Sequence, residues 1–196
     1  MRCVTIPWAG GTAAVLEAVA APGLVVVRFE GGSGSPLEPA VAARLASCIA
    51  VTVGDVGGRV WGGALEAALL LDLLYLREGA ALDPSADPPP LAALGAVTRL
   101  GRRALRRVLL EPRPIPAAEA VELGLAAALV PPGDPLPLPV AGSLPALTAA
   151  RDLLRSSSHP AARLALERAA FRLLLATGHP AEGARAFLER RDPEFP

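Results

Sequence analysis

Several residue types are missing or scarce in this chain of 196 residues. Lysine, asparagine and glutamine do not occur, so arginine supplies all 19 basic residues, and 19 acidic residues balance them. Because a surface that binds nucleic acid needs an excess of positive charge, we expect no nucleic-acid partner. The two cysteines, Cys3 and Cys48, are too few for a disulfide framework, and we therefore expect a reducing cytoplasm.

Long uncharged apolar runs are also absent, although hydrophobic residues make up 52% of the chain. Charges at Arg59, Glu66, Asp72 and Arg77 interrupt even the most apolar region. No stretch therefore reaches the roughly 18 apolar residues that a membrane-spanning helix needs. The first residues, MRCVTIPWAGG, lack the basic start and apolar run of a secretory signal. We expect a soluble, cytoplasmic protein with no membrane partner.

Strand-like and helix-like segments alternate along the first part of the chain. Leu24–Phe29 and Cys48–Val53 are short β-branched runs of the kind found in buried strands, and Leu37–Ala46 between them has helical spacing. A long apolar helix is predicted after the glycines of VGDVGGRVWGG. Such alternation favours an α/β fold with parallel strands.

The composition changes near residue 140. Residues 131–145 are rich in proline, which suggests a connection between two regions. Beyond it, Arg151–Arg155, Ala161–Ala176 and Ala181–Arg190 have helical spacing, so three helices are predicted. We expect an α/β core over residues 1–140 and a helical region over residues 141–196, whose large apolar side chains pack on the core or on a neighbouring subunit.

Three segments of the chain carry a family resemblance. In VGDVGGRVWGGALEAALLLDLLYL, Glu66 follows Gly62-Gly63 by three residues and Asp72 follows Glu66 by six. The second and third segments are RRVLLEPRPIPAAEAVELGLAAALVPPGD and LALERAAFRLLLATGHPAEGARAFLERRDPEF. In kind and order these segments resemble the crotonase (enoyl-CoA hydratase/isomerase) superfamily, of which the chain looks like a shortened and divergent member.

This resemblance implies a fold and a class of ligand. The fold would be a β-β-α spiral followed by a C-terminal helical region, assembled as a homotrimer or as a hexamer of paired trimers. The ligand would be an acyl thioester of coenzyme A or of an acyl-carrier protein, bound where an oxyanion hole stabilises an enolate. Because coenzyme A would enter as part of the substrate, we expect no separate cofactor and no metal.

The resemblance also implies which residues would act. The backbone N–H of Gly63, at the N-terminus of a helix where the dipole favours negative charge, would bind the thioester oxygen. A second N–H would come from the loop GGSGSPL, where Ser33, Gly34 and Ser35 are all candidates and Gly34 is our assignment. Glu66 would carry protons, since general acid–base chemistry needs a carboxylate near the thioester.

Further substrate contacts are predicted around this site and in the tail. Trp61 and Gly62 lie next to the oxyanion turn in the sequence. Asp87 stands near the position where the hydratases of the family have a second glutamate. Arg190 and Arg191 lie near the tail position that, in the family, approaches the nucleotide of a neighbouring subunit's ligand.

Structural interpretations of the same residues stay open. Gly62 and Gly63 could permit close packing where a helix meets the sheet, and Glu66 could be a hydrogen-bonded structural carboxylate. His159 and His179 each precede a proline at a helix entrance, so we assign neither a catalytic role.

The resemblance leaves two candidate functions. The first is an enzyme of fatty acid or polyketide metabolism that hydrates, isomerises or decarboxylates an acyl thioester. The second is a catalytically degenerate accessory subunit of a polyketide or dihydroxyphenylacetyl-CoA-type pathway.

Overall fold

The computed structural model describes residues 3–8, 12–32, 35–85, 104, 106, 108, 110–111, 113–139, 143–155 and 160–195, with side chains omitted over 160–167. The chain divides into two compact units, Arg2–Leu136 and Pro137–Pro196. The sequence had suggested a boundary near residue 140.

The larger unit, Arg2–Leu136, holds the strands and the shorter helices. Its strands are β1 (Cys3–Pro7), β2 (Leu24–Phe29), β3 (Val51–Val56), β4 (Arg59–Val60), β5 (Leu73–Arg77), β6 (Ala81–Leu82), β7 (Ile115–Pro116) and β8 (Ala128–Val130). Its helices include α1 (Thr12–Val19), α2 (Pro39–Ala46), α3 (Gly62–Leu70) and α4 (Ala117–Glu122).

The strands of this unit form two sheets. The first has five parallel strands in the order β1-β2-β3-β5-β8. The second has the order β4-β6-β7, in which β6 runs parallel to β4 and antiparallel to β7. Every residue of β3 is buried, and so is every residue of β2 except Arg28, as expected for parallel strands covered on both faces. The predicted α/β class with parallel strands is confirmed.

Helix α3 lies inside the core of the larger unit. All of its residues from Gly63 to Leu70 are buried. A helix that is apolar on all sides is buried by the surrounding protein, and GGALEAALL has that character apart from Glu66. The same core cluster includes Val27, Phe29 and Leu76, none of which has measurable exposure. The N-terminus of α3 is therefore attached to a helix that is packed into the core.

The smaller unit, Pro137–Pro196, contains α5 (Leu144–Arg155), α6 (Pro160–Leu175) and α7 (His179–Glu189). The first of these begins seven residues before the predicted segment, because Ser143 caps it: its Oγ accepts a hydrogen bond from the Ala146 N–H at 3.4 Å. The same Oγ lies 2.5 Å from Nδ1 of His179, which stacks on Phe195. His179 therefore has a structural contact, and His159 lies outside the described residues.

Several large apolar side chains of the smaller unit are exposed in the single chain. They are Leu154, Phe171, Leu173, Leu175, Phe187 and Leu188. Exposure of so many large apolar groups is unusual for a monomeric protein. None of the described helices combines the length and apolar character that crossing a bilayer demands.

Candidate functional site

A cleft of about 540 Å³ opens where β1 and β2 end and α3 begins. Clefts at the carboxyl ends of parallel strands are a usual position for ligands. Apolar groups make up much of the wall, and three charged side chains join them. The lining residues are Pro7, Trp8, Thr12, Arg28, Glu30, Gly31, Gly32, Ser35, Pro36, Leu37, Glu38 and Gly63.

Two adjacent glycines start α3, and each is needed for a different reason. Gly62 has φ of 55°, in the left-handed region that favours glycine. Gly63 lies so close to the preceding loop that a β-carbon there would stand 2.5 Å from the carbonyl oxygen of Ser35. Trp61, at the N-cap, makes no side-chain hydrogen bond to the helix. The first turn therefore depends on other groups to satisfy its N–H donors.

The Gly63 N–H, the predicted oxyanion donor, donates a hydrogen bond to the carbonyl oxygen of Ser35 at 3.0 Å. Gly63 thus lines the cleft while its amide is engaged by the protein's own loop. The group of Ser35 that reaches Gly63 is an acceptor, whereas the sequence had suggested Ser35 as a candidate N–H donor. The other candidates, Ser33 and Gly34, lie outside the described residues. A ligand oxygen can accept from Gly63 only after the Ser35 carbonyl has moved away.

Trp61 contacts the same loop. Its indole ring lies directly against Gly32, so closely that the ring would clash with any β-carbon at position 32. Gly32 therefore permits a close approach between loop and ring, and Trp61 holds the loop next to the cleft. Substrate contact by Trp61 stays a prediction, since the described cleft wall does not include its side chain.

Glu66, the predicted proton carrier, lies one turn after Gly63 in α3. Its side chain is only 7% exposed, and the described cleft wall does not include it. The carboxylates that do line the cleft are Glu30 and Glu38. Sequence reasoning missed both, although Glu30 directly follows the end of β2, where parallel strands place functional groups.

An ion-pair network lies beside the cleft and was also missed. Asp55 is 2% exposed and accepts hydrogen bonds from Nε of Arg28 at 3.2 Å and from Nε of Arg77 at 2.8 Å. Arg77 also donates to the carbonyl oxygens of Pro131 and Asp134 at 3.1 and 2.6 Å. The bond to Asp55 raises the pKa of Arg77 above its ordinary value. Asp55 thus fixes the half-exposed guanidinium of Arg28 in the cleft wall.

Asp72 has a structural role at the other end of α3. Its carboxylate accepts hydrogen bonds from the N–H and the hydroxyl of Thr52 at 2.9 and 2.8 Å. The Asp72 N–H in turn donates to the Thr52 hydroxyl at 3.0 Å. These bonds tie the chain at the end of α3 to β3.

The remaining candidates lie elsewhere. Asp87 is outside the described residues. Arg190, the left-handed C-cap of α7, is exposed. Arg191 pairs with Glu182 at 2.7 Å and with Glu189 at 2.6 Å, and its hydrogen bond lowers the pKa of Glu182 to about 2. Arg191 therefore has structural contacts at the end of α7, and substrate contact by Arg190 and Arg191 stays a prediction. Among the described residues, no group of three or more His, Cys, Asp or Glu could hold a metal.

Known proteins similar to the chain are enoyl-CoA hydratases. The 2,3-dehydroadipyl-CoA hydratase of Escherichia coli (strain K12) is 32% identical over 172 residues, which are 81% of this chain and 68% of that protein. The probable enoyl-CoA hydratase echA8 of Mycobacterium tuberculosis (strain CDC 1551 / Oshkosh) is 28% identical over 166 residues, 78% of this chain and 65% of that protein. The matches thus span about two thirds of these relatives. No protein-family model matches the chain.

Solved structures similar to this one include a probable enoyl-CoA hydratase/isomerase from Mycobacterium abscessus, with a TM-score of 0.77, 16% identity and coverage of 97% of this chain and 89% of that one. An enoyl-CoA hydratase from Polaromonas sp. JS666 has a TM-score of 0.76, 20% identity and coverage of 95% and 88%. The fold is therefore a crotonase fold. The chain belongs to the enoyl-CoA hydratase/isomerase (crotonase) superfamily, and the predicted family and fold class are confirmed.

Proposed function

We propose that the protein is an enoyl-CoA hydratase/isomerase-like enzyme that acts on an acyl thioester through an oxyanion hole. The observation that carries this proposal is the position of Gly63 in the first turn of α3, in the wall of the cleft, within the segment that resembles the family. The similarity to 2,3-dehydroadipyl-CoA hydratase supports an acyl-CoA substrate. An acyl-carrier-protein thioester presents the same reacting group and is the second candidate.

In this proposal the Gly63 N–H stabilises negative charge on the thioester oxygen as an enolate forms. The first turn of α3 leaves backbone donors without partners in the helix, and the helix dipole favours negative charge there. Loss of one such donor typically costs about 2.7–4 kcal/mol of transition-state stabilisation. Gly34 is the proposed second donor.

Glu66 is the proposed proton carrier, and Glu30 is the carboxylate against which this role is tested. Both are carboxylates of the larger unit, but only Glu30 lies in the described cleft wall. If Glu66 moves the proton, Glu66→Gln should lower kcat by about 10²- to 10⁴-fold. Glu30→Gln should then leave most of the activity. Unchanged turnover of crotonyl-CoA in Glu66→Gln would refute this role, and loss of turnover in Glu30→Gln alone would transfer it to Glu30.

The remaining parts of this proposal concern substrate contacts, assembly and location. Gly62 and Trp61, with Arg190 and Arg191 of a neighbouring subunit, are the proposed further contacts. The exposed apolar side chains of the smaller unit support a homotrimer or hexamer. Sedimentation velocity of the purified protein tests the assembly, and a monomer at working concentration would contradict it. The cytoplasm stays the predicted location.

A second candidate function is that of an accessory subunit that binds a partner enzyme or a thioester without turnover. It is favoured by the engaged Gly63 amide and by the absence of Glu66 from the described cleft wall. Calorimetry against acetyl-, crotonyl-, malonyl- and aryl-acyl-CoA separates the two functions. Binding with turnover supports the enzyme, whereas stable co-purification with a synthase and no turnover supports the accessory subunit. Fast hydration of crotonyl-CoA by the protein alone would contradict the accessory function.

A further inference from the structure

Three consecutive loop residues, Ser35, Pro36 and Leu37, lie directly against Gly63, and we call this segment the strap. Measured from the position that a β-carbon of Gly63 would take, the Ser35 carbonyl oxygen is 2.5 Å away, the Leu37 nitrogen 3.1 Å and the Pro36 carbonyl carbon 3.2 Å. All three are backbone atoms. The absence of a side chain at Gly63 is therefore what allows the strap to close on the amide.

The hydrogen bond between the strap and Gly63 meets a need of the helix. Trp61 makes no capping hydrogen bond, so the Gly63 N–H depends on an acceptor outside the helix. The Ser35 carbonyl supplies that acceptor at 3.0 Å. A thioester oxygen bound at the same amide would satisfy the same donor. The strap and the ligand are thus alternatives for one N–H group.

The sequence of the strap restricts the conformations that it can adopt. Proline restricts the backbone of the residue before it to extended conformations, so Pro36 limits the directions in which the Ser35 carbonyl can point. Leu37 is buried in the core and anchors one end of the strap. Ser35 and Pro36 are themselves exposed, so their displacement from Gly63 uncovers little buried side-chain surface.

We propose that the strap is an autoinhibitory contact, which occupies the Gly63 N–H in the free protein and is displaced when an acyl thioester binds. The inference rests on the proposed oxyanion function of Gly63. Displacement lowers the observed affinity, because only the fraction of molecules with an open strap can bind. The net worth of one hydrogen bond corresponds to roughly a twofold to tenfold change in that fraction.

The test compares the full-length protein with Pro36→Gly, which removes the restriction on the Ser35 carbonyl and leaves the carbonyl in place. Amide exchange at Gly63 is measured by NMR in the free proteins, and crotonyl-CoA binding is measured by calorimetry. In Pro36→Gly we expect exchange to be faster, and binding tighter, by roughly twofold to tenfold. Pro39→Ala is the matched control, since this exposed proline begins α2 outside the strap and should change neither quantity.

The second part of the test follows the Gly63 amide resonance as ligand is added. Crotonyl-CoA should shift the Gly63 amide resonance, whereas free coenzyme A, which lacks the thioester oxygen, should not. Equal affinities of wild type and Pro36→Gly would overturn the strap and leave the proposed function standing. Binding of crotonyl-CoA with no change at Gly63 would overturn the strap and the oxyanion role of Gly63 together. If neither protein binds crotonyl-CoA, the proposed function fails and displacement fails with it. Exchange of the free wild-type Gly63 amide at the rate of an unprotected amide would then refute the closed contact as well.

Discussion

Replacement of Gly63 by alanine should destabilise the larger unit. The new β-carbon would lie 2.5 Å from the Ser35 oxygen and 3.1 Å from the Leu37 nitrogen, and rotation of a side chain cannot relieve contacts with backbone atoms. Overpacking of this kind costs about 1–3 kcal/mol. Alanine recovers about 1 kcal/mol through its better helix propensity. We therefore expect a net loss of about 1 kcal/mol in the free energy of unfolding.

The chain offers a matched control in Gly183, which lies within α7. A β-carbon there would meet no atom within 4 Å, so Gly183→Ala should stabilise the smaller unit by about 0.5–1 kcal/mol. Urea titrations should follow the two units separately, because they need not unfold together. Fluorescence of Trp8 and Trp61 reports on the larger unit, which contains both, and far-ultraviolet circular dichroism reports on the helices. If Gly63→Ala raised the free energy of unfolding as much as Gly183→Ala does, the close approach of the Ser35 and Leu37 backbone to Gly63 would be refuted.

Two further predictions concern charged groups. Asp55→Asn should lower the free energy of unfolding by about 1.5–3 kcal/mol, because Arg28 and Arg77 lose charge-assisted hydrogen bonds to their shared carboxylate; a urea titration that coincides with that of wild type would contradict the pairing. The pKa of Glu182 is lowered from 4.5 to about 2, so its contribution to stability is present above about pH 4.5 and is lost as the pH falls toward 2. An NMR titration should show this pKa rise toward 4.5 in Arg191→Ala, and an unchanged value would refute the role of Arg191.

Of the two central strands predicted from the sequence, one has the predicted bounds and the other is displaced along the chain. Leu24–Phe29 was predicted with the bounds that β2 has in the structure. Cys48–Val53 was predicted three residues too early, since β3 is Val51–Val56. Gly54 and Asp55 belong to the glycine-rich segment VGDVGGRVWGG, but they lie within the strand. Leu74 of β5 packs on Gly54, and arginines from β2 and β5 pair with Asp55. These contacts join residues far apart in the chain, which local patterns do not reveal.

The candidate site was predictable where it depends on local sequence. The Gly62-Gly63 pair marked the start of α3, and the family resemblance marked Gly63 as the residue of interest. The contact between Ser35 and Gly63 joins positions 28 residues apart, and no periodicity or motif encodes it. The cleft residues Trp8, Arg28 and Glu30 come together only because β1 and β2 pair in parallel and end side by side.

Asp55 pairs with two arginines, Arg28 and Arg77, and so connects the cleft wall to a distant part of the chain. Arg28 in the cleft wall is held by Asp55, Asp55 by Arg77, and Arg77 by the carbonyl oxygens of the turn that contains Pro131 and Asp134. A surface turn about a hundred positions downstream of Arg28 is thus linked through Arg77 and Asp55 to the guanidinium in the cleft wall. Substitutions in that turn should therefore shift Arg28 without altering any residue of the cleft wall.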